Sequence, residues 1–286
     1  MELIVQRHAM RAKLPKVFLV VGLVLGFAVA DGARGEESDI APGSLALGIG
    51  VAGLNFPAYR GSDQRSTWLL PVPYLEYNGD FFKADRQGLR GQIFDSPRVQ
   101  LSVSASGSPP VSSDGIARRR GMPELKASLE VGPQLSVLLS DPQDSKLSLR
   151  LRLPLRQGIT LERRPQDIGL TFSPNLNLDL ADPWGLPRSN LGFLVGPIFT
   201  SRTQNNYFYG VAAPFASVAR PAYQAGGGYA GAQALVSLSR KFGDWWVGGF
   251  VRYDNLQGAV FEGSSLVASR SYLTAGVALS YIFVRF

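Results

Sequence analysis

The chain has no cysteine in its 286 residues, and its one histidine is His8. Without cysteine there is no disulfide framework and no thiolate chemistry. Charged residues make up 18%, below the quarter usual in soluble domains. No stretch beyond residue 30 is apolar for the eighteen or so residues that a spanning helix requires. Apolar residues still reach 45%, which excludes an acidic, disordered chain.

The first 30 residues stand apart. Arg11, Lys13 and Lys16 precede the apolar run VFLVVGLVLGFAVA (17–30), which ends in Ala28-Val29-Ala30. A basic start, a short apolar segment and an A-x-A ending predict an export leader cleaved near Ala30. The leader carries a net +3 of the chain's +7, which leaves +4 on residues 31–286. That balance does not point to nucleic acid. Past the leader no histidine remains, so zinc sites of the His/Cys kind are excluded. Serines such as Ser136 and Ser148 lack the usual base for acyl transfer. A carboxylate pair such as Glu76 with Asp85 has nothing in the sequence to position it. No cofactor is expected.

What recurs is a two-residue period. In KLSLRLRLPLR (146–156) leucine holds 147, 149, 151, 153 and 155, while Ser148, Arg150, Arg152 and Arg156 hold the other face. Leu129, Val131, Leu135 and Val137 alternate with polar residues, and Phe172, Leu176, Leu178 and Leu180 alternate with Asn175, Asn177 and Asp179. Further segments are 45–52, 67–77, 80–94, 99–105, 191–200, 206–216, 228–240, 245–255 and 272–286, which makes twelve expected strands. Several exceed the five or six residues usual in globular sheets. A soluble sandwich would place the polar face in water and the apolar face between two sheets. A membrane barrel would place the apolar face in lipid and the polar face in its lumen. Export, strand length and mid-strand arginines favour an all-β transmembrane antiparallel barrel of about twelve strands over 43–286, after a short periplasmic segment at 31–42. Pro71, Pro73, Pro133, Pro154, Pro174 and Pro197 fall within strands and predict bulges or strand ends near the rims.

The barrel reading assigns roles to particular residues. Arg150, Arg152, Arg156, Glu130 and Asp179 are expected to line the lumen, as an internal ion-paired filling or as an anion-selective lining. The loop 107–124 carries Arg118-Arg119-Arg120, a candidate partner loop. Counting strands back from a periplasmic C-terminus puts it in the periplasm. Trp245, Trp246, Tyr253, Tyr207, Phe208, Tyr209, Tyr272 and Tyr281 are expected to form interfacial girdles. Gly48-Ile-Gly50-Val-Ala-Gly53 matches G-x-G-x-x-G, but Asn55-Phe56-Pro57 follows in place of a helix. Small residues on a lumen face explain these glycines better than a dinucleotide site.

The last segment, YLTAGVALSYIFVRF (272–286), resembles the assembly signal of bacterial outer-membrane barrels through Gly276, Leu279, Tyr281, Phe283 and Phe286. The implied partners are the barrel-assembly machinery and outer-membrane lipid or lipopolysaccharide. More of the chain is similar to the MipA/OmpV family, the MltA-interacting proteins. The resemblance rests on GVAGLNFPAYRGS (50–62), LLPVPYLEY (69–77), RRGMPELKASLEVGP (119–133), YQAGGGY (223–229) and WWVGGFVRYDNLQG (245–258). It implies a non-enzymatic outer-membrane barrel in a Gram-negative cell envelope. It also implies a scaffold joining a murein hydrolase to a murein synthase. The other function the residues allow is a narrow channel for small, anionic solutes.

Overall fold

The computed structural model describes residues 45–78, 82–85 and 88–286, with backbone alone for 77–92. The expected leader, the segment 31–42 and the Asp85 side chain lie outside the described residues. Among the described residues, thirteen strands form one antiparallel sheet. They are β1 (Leu45–Pro57), β2 (Arg65–Asn78), β3 (Phe82–Asp85), β4 (Gly88–Asp95), β5 (Val99–Ser108), β6 (Ser128–Leu138), β7 (Leu147–Thr160), β8 (Asp167–Phe172), β9 (Asn175–Ala181), β10 (Ser189–Thr200), β11 (Gly228–Phe242), β12 (Trp245–Asn255) and β13 (Ser271–Arg285). One helix, α1 (Arg202–Tyr209), follows β10.

The sheet closes on itself, because β1 pairs with β13 on one side and β2 on the other. β8 and β9 share one place in the wall. Both lie between β7 and β10, and Ser173-Pro174 separates them. The wall therefore has twelve positions, as the periodicity predicts. Ile49, Leu69, Val195, Val247 and Val277 stand exposed on its outside, while Ser148, Arg150, Arg152, Asn177 and Asp179 are buried within. Lipid covers the outer face, and closure satisfies the backbone groups that lipid cannot.

At the seam β1 and β13 pair from Ala46↔Arg285 to Asn55↔Ala275, with a register shift that leaves Phe283 unpaired. This bulge explains why Phe283 and Phe286, of opposite parity, both point outward. Leu45 and Phe286 then exchange two backbone hydrogen bonds, of 2.9 and 3.2 Å.

The prolines sit in mid-wall rather than at the rims. Pro174 splits the β8/β9 strand, a register shift follows Pro197, and the β6–β7 ladder lapses at Gly132-Pro133. Pro71 and Pro73 lie where β2 pairs with β1 alone among the described residues, since β3 meets it only at Tyr77 and Asn78. A missing donor costs no ladder bond on such an edge.

Connections 96–98, 139–146, 182–188 and 243–244 lie at the C-terminal end of the wall; 58–64, 109–127, 161–166, 201–227 and 256–270 lie at the other. Short turns face the periplasm and long loops the exterior, so 109–127 is an outer loop. This corrects the periplasmic placement read from strand counting. The segment 206–216, counted as a strand, is the end of α1 and a 3-10 turn at Ala213–Phe215. Removing it reverses the parity of every strand before it. The segment 80–94 restores the total by dividing into β3 and β4.

α1 forms because its surroundings supply what a strand would lose. The Ser201 side chain caps it by accepting from Gln204 N. Asn206 imitates a ladder residue toward the returning chain, donating to Ala225 O and accepting from Ala225 N. Asn205 donates to Gly226 O at 2.8 Å. The outer loops thus fold inward over the mouth around Tyr59, Ile116, Leu125, Tyr209, Leu256 and Phe261. Leu256 and Phe261 are fully buried, and each contributes about 1.5–3 kcal/mol by leaving water.

The seam tolerates no bulk. A Cβ on Gly50 would fall 2.2 Å from Ser280 Oγ and 2.4 Å from Leu279 O. Gly50→Ala is therefore expected to cost about 1–3 kcal/mol, seen as a lower urea midpoint for the folded, fast-migrating form on unheated gels.

Candidate functional site

The lumen is filled in tiers. At the periplasmic end Ala46, Val72, Tyr74, Trp246, Ala278 and Ile282 form an apolar cluster. Beside it Lys241 Nζ lies 3.1 Å from Glu76 Oε2, with both side chains buried. The Tyr74 hydroxyl donates to the same carboxylate oxygen at 2.8 Å. Gly48 makes room for this tier, since a Cβ there would lie 3.0 Å from Tyr74 Cβ. Gly48 and Gly50 thus serve close packing, as the G-x-G-x-x-G match is read above.

The middle tier is polar. Ser102, Ser136, Ser148, Arg150, Arg152, Asn175, Asn177 and Asp179 are buried. Arg150 Nε donates to Ser148 Oγ at 3.2 Å, and Asn177 Nδ2 donates to Asp179 Oδ2 at 2.5 Å. Glu130 and Arg156 stand higher on the wall, 3.6 Å apart. Arg156 also donates to Ser104 Oγ and Ser173 Oγ, both at 3.0 Å. Gln204 of α1 reaches Glu130 Oε1 at 2.9 Å and joins the cap to the wall. Of the five residues expected in the lumen, Arg150, Arg152 and Asp179 are buried, and Glu130 forms an ion pair with Arg156.

Between this wall and the cap lies a cavity of about 270 Å³, reached by Arg60, Arg252, Asp254 and Tyr272 as well as Glu130 and Arg156. Asp254 is fully buried. Its Oδ1 accepts from Arg252 Nη2 at 2.7 Å and from Arg60 Nε at 3.4 Å. Arg60 Nε also donates to the Tyr272 hydroxyl at 3.2 Å, and Tyr209 donates to Arg60 O at 3.0 Å. The Tyr209 and Phe261 rings stack at 3.7 Å.

The arginine triplet serves the cap. Arg119 is buried and donates to Ser113 Oγ, Phe208 O and Pro123 O at 3.2, 2.9 and 3.1 Å. Its guanidinium lies over the Tyr59 ring, and burial holds its pKa down. It is an internal clamp, with all three guanidinium nitrogens bonded within the cap. Arg118 donates to Ser265 O, and the Arg118 and Arg120 carbonyls accept from Arg220. Only Arg118 and Arg120 remain exposed.

Trp245, Tyr253 and Tyr281 stand on the outer face, as girdle residues should. Trp246, Tyr209 and Tyr272 do not: all three are buried, Trp246 and Tyr272 on the inner face and Tyr209 in the cap. Sequence reasoning left Arg60, Arg252, Lys241 and Gln204 without a role. Parity was the available signal for one of them: Arg252 shares the inward phase of Phe250 and Asp254 on β12.

A ladder closed on itself, apolar outside and polar within, defines an outer-membrane β-barrel. The family model described as "MltA-interacting protein MipA" matches residues 49–283, and the chain belongs to that family. Outer membrane protein OmpV of Vibrio cholerae is 25% identical over 213 residues, covering 72% of this chain and 76% of OmpV. Among solved structures, an outer-membrane channel from Pseudomonas putida F1 aligns with a TM-score of 0.42 at 9% identity, covering 88% of this chain and 99% of that one. The outer membrane protein OprG from Pseudomonas aeruginosa aligns with a TM-score of 0.23 at 9% identity, covering 88% and 99%.

Two predictions follow from these tiers. Lys241→Met leaves the Glu76 charge buried without its ion-pair partner, at a cost of about 3–5 kcal/mol. The double variant with Glu76→Gln should recover most of that loss in urea unfolding. In the cap, the Tyr59 hydroxyl donates to Leu266 O at 2.7 Å, and burial pushes its pKa from the ordinary 10.0 up to about 12. Because the folded value is raised, the stabilisation is whole below pH 10 and is lost as pH rises through 12. Tyrosinate absorbance at 295 nm should show this late step, and the outer loops should become protease-sensitive with it.

Proposed function

We propose that the protein is a non-enzymatic, non-conducting barrel that acts as an interaction platform of the cell envelope. Its partners on this reading are a murein-cleaving and a murein-synthesising enzyme. The observation that carries the non-conducting part is the filled lumen. A conducting barrel keeps its inner face wet, whereas Tyr74, Trp246, Arg150, Asn177 and Asp179 are all buried. The partner part draws on the family description, "MltA-interacting protein".

Murein lies on the short-turn side, so partner enzymes meet the turns 96–98, 139–146 and 182–188 rather than the outer loops. Arg118 and Arg120 then face lipopolysaccharide phosphate, whose charge they complement. Residues 1–30 act as the export leader, and Gly276, Leu279, Tyr281, Phe283 and Phe286 act in assembly. In planar bilayers the purified protein should give no steady single-channel steps. In envelope extracts it should retain a lytic transglycosylase, and replacing Asp141, Asp144 and Lys146 together with Ser should weaken that capture. Regular conductance steps would establish the competing reading, a narrow channel, and remove this one.

A further inference from the structure

The geometry points to the cavity beneath the cap as a binding site for a small organic acid, with the carboxylate held by Arg60 and Arg252. This goes beyond the platform reading and does not depend on it. The cavity measures about 270 Å³, room for roughly nine waters at about 30 Å³ each, or for a single-ring acid.

Its charge is unbalanced. Glu130 and Arg156 pair with each other, but Arg60 and Arg252 share the one carboxylate of Asp254. They meet it at a single oxygen, Oδ1. Arg60 Nη2, Arg252 Nε and Asp254 Oδ2 are all buried without a hydrogen-bond partner, so the cluster does not satisfy itself. The cap has a structural arginine for contrast. Arg119 spends Nε, Nη1 and Nη2 on three oxygens at 3.2 Å or less. Arg60 and Arg252 instead keep side chains 26% and 31% exposed beside a carboxylate that is almost wholly hidden. An additional carboxylate would supply the missing negative charge at the guanidinium edges that remain exposed, in the planar geometry those groups favour. The lining also includes Phe56, Ile198 and Phe208, among polar groups such as Thr171, Thr200 and Gln204. These surfaces suit the ring of an organic acid, which inorganic phosphate lacks.

The test is a titration of the full-length barrel in detergent with 4-fluorobenzoate, followed by fluorine NMR. Saturable line broadening is expected, with none for neutral 4-fluorobenzamide. Arg252→Gln should weaken binding roughly tenfold or more, the usual effect of losing a charged hydrogen-bond partner. Asp254→Asn removes the competing carboxylate and should tighten it. Ser106→Phe, opposite Glu130 on β5, fills the cavity without replacing Arg60, Arg252 or Asp254 and should abolish binding, whether or not the Arg252 variant folds. Equal binding of the benzamide, displacement by inorganic phosphate as effective as by benzoate, or indifference to Ser106→Phe would each overturn the assignment.

Discussion

Every backbone donor and acceptor in the lipid-facing wall needs a partner inside the chain, because the hydrocarbon layer offers none and each unmet group costs several kcal/mol. The β1–β13 seam meets that requirement, and the rest of the structure follows from it. The bulge at Phe283 lets the chain keep pairing to its last residue, where Leu45 and Phe286 exchange hydrogen bonds. The same requirement governs the prolines. Pro174 and Pro197 face each other across β8/β9 and β10, and the two irregularities occupy one patch of wall. Pro71 and Pro73 take the stretch of β2 that has one ladder among the described residues. A fold with many strand prolines is tolerable when they gather where ladders are already broken.

Closure then dictates the interior. Twelve strands enclose a space that side chains largely fill, and the filling differs from end to end. The periplasmic tier joins apolar rings to one buried ion pair, Glu76–Lys241. Such a pair is weak evidence for stability, because desolvation offsets most of its attraction. Its geometric effect is firmer. It joins β2 to β11 across the lumen, and the Tyr74 hydroxyl fixes the carboxylate from the side. The outer tier is charged and encloses the cavity, and it ends in a cap with a core of its own.

Much of this was legible in the sequence. The two-residue period assigned inside and outside correctly for 146–156 and 172–180, since lipid and lumen impose opposite demands on neighbouring residues. The misreadings share a cause: alternation does not reveal who covers a face. NYFYGVAAPFA (206–216) reads as a strand by its aromatic and apolar content, yet Ser201, Asn205 and Asn206 hold it as helix and turn. That single error moved the Arg118–Arg120 loop to the wrong side of the membrane. The aromatic residues show the same limit. Trp245 and Trp246 are adjacent, so one faces lipid and the other the lumen, and no count of aromatics near strand ends separates them.

Four of the five segments that carry the family resemblance are far apart in the chain and meet in one place. Tyr59 and Arg60 come from 50–62, Arg119 and Leu125 from 119–133, Ala225 from 223–229, and Arg252, Asp254 and Leu256 from 245–258. All belong to the cap or to the cavity beneath it. The cap has to be assembled from several loops because no one of them buries enough apolar surface to hold itself shut. Arg119 shows how they are joined: one guanidinium binds its own loop at Ser113 and Pro123 and α1 at Phe208. Arg60 links the 58–64 loop to β12 through Asp254 and to β13 through Tyr272. Sealing the mouth and shaping the cavity are therefore done by the same side chains, so a change in one alters the other.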